Sequence, residues 1–168
     1  MNIARVKKVL LALTAFLVVI QFVQPGRTNP YVTVSRSLSA HIPVPGEVQA
    51  VVDRACGNCH SNRTVWPWYG KVAPLSWVIT DDVNEGRRHM NFDDWEALPN
   101  PKEESDRLAG ICKETQDRGM PPFSYRLLHP ESRLKPNEIA ALCSWAQSVN
   151  SGASIGSERR SDRSNLEH

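Results

Sequence analysis

An all-α domain is predicted for residues 46–150 on three observations. Apolar residues recur there at spacings of three and four, no alternating run of strand length occurs, and Pro or Gly falls where helices begin and end. The 168-residue chain holds one such domain with appendages at both ends. Its formal net charge is +2, and the basic residues are scattered rather than gathered into a stripe. That pattern gives no reason to expect nucleic acid as a partner.

The first appendage is residues 1–23. Arg5, Lys7 and Lys8 precede an uncharged apolar run from Val9 to Val23, the pattern of an export signal or membrane anchor. At about 15 residues, or roughly 22 Å as a helix, the run falls between a signal-peptide core and a full span of about 30 Å. No small-x-small cleavage site follows and no early Cys is present for lipidation. The expectation is an uncleaved N-terminal membrane-anchor helix, with a cleaved, soluble exported form as the alternative. Residues 24–45 carry Pro25, Gly26, Pro30, Pro43 and Pro45, and read as a tether or as an arm lying on the domain.

Within the domain, Val48, Val51, Val52 and Ala55 recur at i, i+3, i+4 and i+7 and define a first helix. A second starts near Pro74 and is expected to bury Leu75, Val78, Ile79 and Val83 before Gly86 loosens it. A third opens at Asn100-Pro101, with Asn100 as cap, Glu103 as its capping-box partner and a stripe of Leu108, Ile111, Cys112 and Thr115. Gly119 is placed to end it. The fourth opens at Pro136 and carries Ile139, Leu142, Cys143, Ala146 and Val149 on one face, with Trp145 on its flank. Residues 151–168 are Ser, Gly and charge with almost nothing apolar, the composition of a disordered tail.

The first helix delivers Cys56-Gly57-Asn58-Cys59-His60 at its C-terminal end. Two thiols one helical turn apart reach two vinyl groups of a haem, and the next residue turns an imidazole under the iron. Cys56 and Cys59 are therefore the candidate attachment points of one covalent haem c, and His60 is the candidate axial ligand. The competing readings are a redox dithiol, half a zinc site and an ordinary disulfide. A redox pair is expected beside a βαβ pattern and none is visible; the other two cysteines lie too far away to complete a recognisable zinc spacing.

A second axial ligand separates a carrier from a catalyst. Met120, in Gly119-Met120-Pro121-Pro122, is the candidate, because the two prolines stiffen the segment and pin a weak thioether without a large ordering cost. Its competing reading is a core methionine, the reading given to Met90. His129 is the rival ligand, while His41 and His89 read as solvated.

These residues resemble a known family, the bacterial haem-binding domain proteins, a small branch of the c-type cytochromes. The resemblance runs from Cys59-His60-Ser61-Asn62-Arg63-Thr64-Val65-Trp66-Pro67-Trp68-Tyr69 through Val72-Ala73-Pro74-Leu75-Ser76-Trp77 and Asp82-Val83-Asn84-Glu85-Gly86-Arg87. It continues over Asn91-Phe92-Asp93-Asp94-Trp95 to Met120-Pro121-Pro122, Tyr125 and His129-Pro130. It implies a small class I cytochrome c-like fold, with haem on Cys56 and Cys59 and iron between His60 and Met120. One departure is local: Lys135 stands where a Ser or Thr cap is expected before Pro136.

Cys112 and Cys143 lie on the apolar faces of the third and fourth helices, either as a disulfide, as export permits, or as two buried thiols. Trp66, Trp68 and Tyr69 pack either on the porphyrin edge or in an ordinary core. Arg63 pairs either with a propionate or with solvent. The function these observations imply is one-electron transfer by a c-type cytochrome, not an enzyme, on the periplasmic side of the bacterial inner membrane with a redox protein as partner. In the alternative, Met120 dissociates and the haem serves a peroxidase or a gas or redox sensor.

Overall fold

A computed structural model describes residues 2–95 and 100–165, and among them there is no strand. The α-helices are α1 (Ile3–Ile20), α2 (Leu38–His41), α3 (Gly46–Ala55), α4 (Gly57–His60), α5 (Leu75–His89), α6 (Pro101–Gln116), α7 (Phe123–Leu128) and α8 (Pro136–Asn165). Short 3₁₀ turns cover Val34–Arg36, Trp68–Lys71 and Pro130–Ser132. The fold is all-α.

Helix α3 buries Val48, Val51, Val52 and Ala55, the four positions of its stripe. Val48, Val51 and Val52 share one core cluster with Leu108 and Ile111 of α6 and Leu142 and Ala146 of α8. Trp145 belongs to this core instead of flanking it, and its indole N–H donates to the Pro43 carbonyl at 3.0 Å. Cys112 of α6 and Cys143 of α8 are joined by a disulfide. At the start of α6, Asn100 accepts from the Glu103 N–H at 2.9 Å, whereas the Glu103 carboxylate turns to Arg107 at 2.7 Å instead of closing a capping box. Lys135 lacks a capping side chain of its own, but Glu138 accepts its backbone N–H at 2.8 Å and so holds the first turn of α8.

Five expectations change. Leu75 and Val78 of α5 are exposed, and the buried face is Ser76, Thr80, Val83 and Gly86. Gly86 does not loosen the helix. It lets α5 approach the motif helix so closely that a Cβ there would lie 2.7 Å from the Cys59 carbonyl oxygen. The left-handed residue after α6 is Arg118, with φ 59°, and Gly119 is not at positive φ. The segment expected as a disordered tail is helical to Asn165, because no Pro interrupts it and extension of a nucleated helix needs no second nucleus; residues 166–168 lie outside the described residues.

The fifth change concerns the N-terminus. Among the described residues, no helix is long and apolar enough to cross a membrane, so α1 gives no support to a spanning anchor. Its apolar side chains are exposed, with Ile20 alone buried. The segment after α1 lies on the domain. The Gln21 carboxamide donates to the Ala73 carbonyl at 3.1 Å and accepts the Ala73 N–H at 2.9 Å. Arg27 donates to the Gly70 carbonyl at 3.1 Å, and Asn29 to that of Thr64 at 2.9 Å. Farther along, Leu38 and Ile42 enter the core, so packing begins before residue 46.

Candidate functional site

The end of α3 and the single turn of α4 are welded by the Cys56 carbonyl, which accepts from the N–H groups of Cys59 at 3.1 Å and His60 at 3.0 Å. This turn brings Cys56, Cys59 and His60 to one cavity of about 610 Å³. Opposing walls come from Val83 and Gly86 of α5, from Gly110, Ile111 and Thr115 of α6, and from the 120–129 segment. The lining is mostly apolar, and the volume lies in the range of cofactor pockets.

Neither Cys56 nor Cys59 is in a disulfide. Burial pushes the Cys56 thiol up to about 12, with Cys59 beside it acting the same way. Burial likewise takes Cys59 to about 11, reinforced by the Asp82 carboxylate. Protonated thiols of this kind are poor thiol–disulfide exchangers, which argues against the redox-dithiol reading. Among the described residues, no group of three or more His, Cys, Asp or Glu side chains is arranged to hold a metal ion, which argues against zinc.

His60 Nδ1 lies 3.1 Å from the Met90 carbonyl oxygen. A carbonyl only accepts, so Nδ1 carries the hydrogen and the Nε2 lone pair is left for a metal. Burial lowers the His60 pKa and favours this neutral ring. Phe92 tilts against the imidazole with centroids 6.2 Å apart. Met120 lines the same cavity and is 41% exposed; its N–H donates to the Glu114 carbonyl at 3.1 Å. A neutral imidazole, two thiols and a thioether therefore share one apolar chamber, a donor set that suits a haem bound covalently.

His129, the rival ligand, also lines the cavity, but both its ring nitrogens are engaged. Nε2 lies 2.5 Å from the Tyr69 hydroxyl and Nδ1 lies 2.8 Å from Glu131 Oε1. Tyr69 is buried in the cavity wall. The other expected haem neighbours are elsewhere. Arg63 pairs with the buried Asp93 at 2.5 Å and is outside the cavity lining, as are Trp66 and Trp68. Trp66 donates to Asn29 at 3.2 Å, and Trp68 is 77% exposed. Asp93 captures Arg63 because a buried carboxylate needs a charge partner, and it also accepts the Asn62 N–H at 3.0 Å.

Two positions carry roles that their local sequence does not announce. Asn58, inside the motif, donates to the Tyr125 hydroxyl at 2.7 Å and accepts the Val65 N–H at 3.0 Å, tying the thiol turn to the segment after Met120. Arg87 donates to the Ser61 carbonyl at 2.8 Å, the Thr64 hydroxyl at 2.8 Å, the Thr28 carbonyl at 3.0 Å and Asn29 Oδ1 at 2.9 Å. The signal for Asn58 is a polar side chain at a motif position with no ligand duty. For Arg87 there is none in the local sequence.

A family model described as a haem-binding domain matches residues 15–148. No curated protein and no solved structure matches the chain.

Proposed function

Because this chain belongs to the haem-binding domain family, we propose that it is a c-type cytochrome that transfers single electrons, with its haem joined by thioether bonds to Cys56 and Cys59 and its iron held by His60 and Met120. The observation that carries the reading is the meeting of these four side chains in one mostly apolar cavity. When bound, the haem supplies the reversible Fe(III)/Fe(II) couple. The protein residues retain, orient and insulate it. The thiols hold the cofactor covalently, the Met90 carbonyl fixes the ring of His60, and Gly86 allows α5 to close over the motif turn. A thioether at Met120 favours the reduced state more than a second imidazole does.

The location belongs to the same proposal. The basic residues before the apolar stretch of α1 support export, with the domain at the outer face of the bacterial cytoplasmic membrane and a redox protein as partner. Full-length protein matured with the haem-attachment machinery present tests the reading. Haem staining is expected to persist after denaturation, to vanish in the C56A/C59A double variant, and to accompany a low-spin reduced spectrum. A denatured band without haem in the parent protein would remove the c-type assignment, and a high-spin reduced spectrum would transfer the reading to the peroxidase or sensor class.

A further inference from the structure

Helix α1 exposes Phe16, Leu17, Val18 and Val19 at 61, 50, 55 and 62%. Four consecutive helical residues point in four directions, so the apolar surface surrounds the axis instead of forming one stripe. A second copy or a protein partner would cover one side of such a helix and leave the other in water. Lipid covers all sides.

The apolar surface does not stop where α1 ends. Phe22 and Val23 come next at 86 and 63% exposure, and the Gln21 carboxamide clasps the Ala73 backbone through both of its polar atoms. The Trp77 indole N–H donates to the Val23 carbonyl at 2.7 Å. These bonds fix residues 21–23 against the beginning of α5, where Leu75 and Val78 stand 46 and 55% exposed. Lys71, also exposed, adds a positive charge at this edge, and Arg5, Lys7 and Lys8 lie at the far end of α1. Apolar side chains, an indole with its N–H satisfied and flanking cations are the composition of a surface at a bilayer interface.

We propose that the rim formed by Phe22, Val23, Leu75, Trp77 and Val78 rests in the headgroup boundary of a lipid bilayer, beside an α1 embedded in the same leaflet. The proposal deepens the reading that the chain works at a membrane face. Because the rim is clasped to α1 through Gln21 and Trp77, docking sets the orientation of the domain as well as its attachment. Ile79, one turn beyond Leu75, belongs to the haem cavity wall, so the cavity is held close to the membrane surface.

The test uses full-length, haem-loaded protein with vesicles of phosphatidylethanolamine and phosphatidylglycerol. Flotation reads attachment, and slowing of backbone hydrogen exchange over residues 21–24 and 71–78 on addition of vesicles reads contact of the rim. The parent protein is expected to float and to show this slowing. L75E/V78E, which keeps Trp77 and α1, is expected to float with about half of the slowing and an unchanged haem spectrum. Flotation with no slowing in the parent, or with equal slowing in L75E/V78E, would overturn the rim while leaving membrane attachment in place. A parent protein that stays in the aqueous phase would overturn both.

Discussion

At the scale of single residues, Gly86 makes the sharpest prediction. G86A places a methyl 2.7 Å from the Cys59 carbonyl oxygen, where the atoms on both sides are backbone and neither helix can yield locally. A loss of about 2–3 kcal/mol is expected from the urea midpoint, together with a lower yield of attached haem. Met120 gives a spectroscopic counterpart. M120A is expected to keep its haem through denaturation, to turn high-spin when reduced and to fall in reduction potential; an unchanged spectrum would mean that another group binds the iron. The motif is legible in the sequence because its chemistry is local: five consecutive residues contain both thiols and the imidazole. The partner of Arg63 is not legible in the same way, since the carboxylate that claims it, Asp93, lies 30 residues away and only the fold brings them together.

At the scale of helices, the period of α5 can be read from sequence but its orientation cannot. Leu75, Ile79 and Val83 give the helical repeat. Yet the buried face is made of the small residues Ser76, Thr80 and Gly86 with Val83, close approach to α4 requires the glycine, and Leu75 and Val78 are left outside. Helix α8 illustrates the reverse case, because its poor cap at Lys135 is remedied by Glu138. That carboxylate accepts the Lys135 N–H and also pairs with Arg54 of α3 at 2.7 Å, and the hydrogen bond from Lys135 leads in lowering its pKa from 4.5. A depressed carboxylate contributes stability that is complete above its unfolded value and is lost as the pH falls through its folded value. E138Q is therefore expected to flatten the acid limb of the stability curve as the pH falls below the ordinary value of 4.5, measured by thermal melts. The bond between α6 and α8 offers a larger effect. C112S/C143S opens a loop of 31 residues that contains Met120, and about 3–4 kcal/mol of stability is expected to go with it.

At the scale of the whole molecule, the N-terminal segment takes one of the two readings its composition allows, an arm lying on the domain. Its prolines forbid a long helix and so imitate a loose tether, but Gln21, Arg27 and Asn29 each find backbone partners on the domain, and Leu38 and Ile42 enter the core. Such docking is not legible from the arm itself because half of each bond comes from the domain, from Thr64, Gly70, Ala73 and Arg87 and as far away as Trp145. R87A is expected to free the Thr28 carbonyl and to leave Asn29 only its bonds with Thr64 and Trp66, at a cost of about 2–4 kcal/mol, and limited proteolysis is expected to cut the arm faster than in the parent while the disulfide-linked helices resist. Resistance of the arm to protease in R87A would mean that the bonds of Gln21, Arg27 and Asn29 hold it without the guanidinium.

The same arginine also sets an order of events during synthesis. A polypeptide delivered amino end first presents Thr28, then the two cysteines, then Ser61 and Thr64, and only afterwards the guanidinium that cross-links them. Until position 87 emerges, the bridge from Thr28 to Ser61 and Thr64 is missing, and Asn29 ties the earlier segment to the stretch after the thiol turn through Thr64 and Trp66. Under the proposed covalent attachment, vectorial delivery thus leaves an interval in which the cysteines are less firmly enclosed, and the interval ends by the chain's own lengthening.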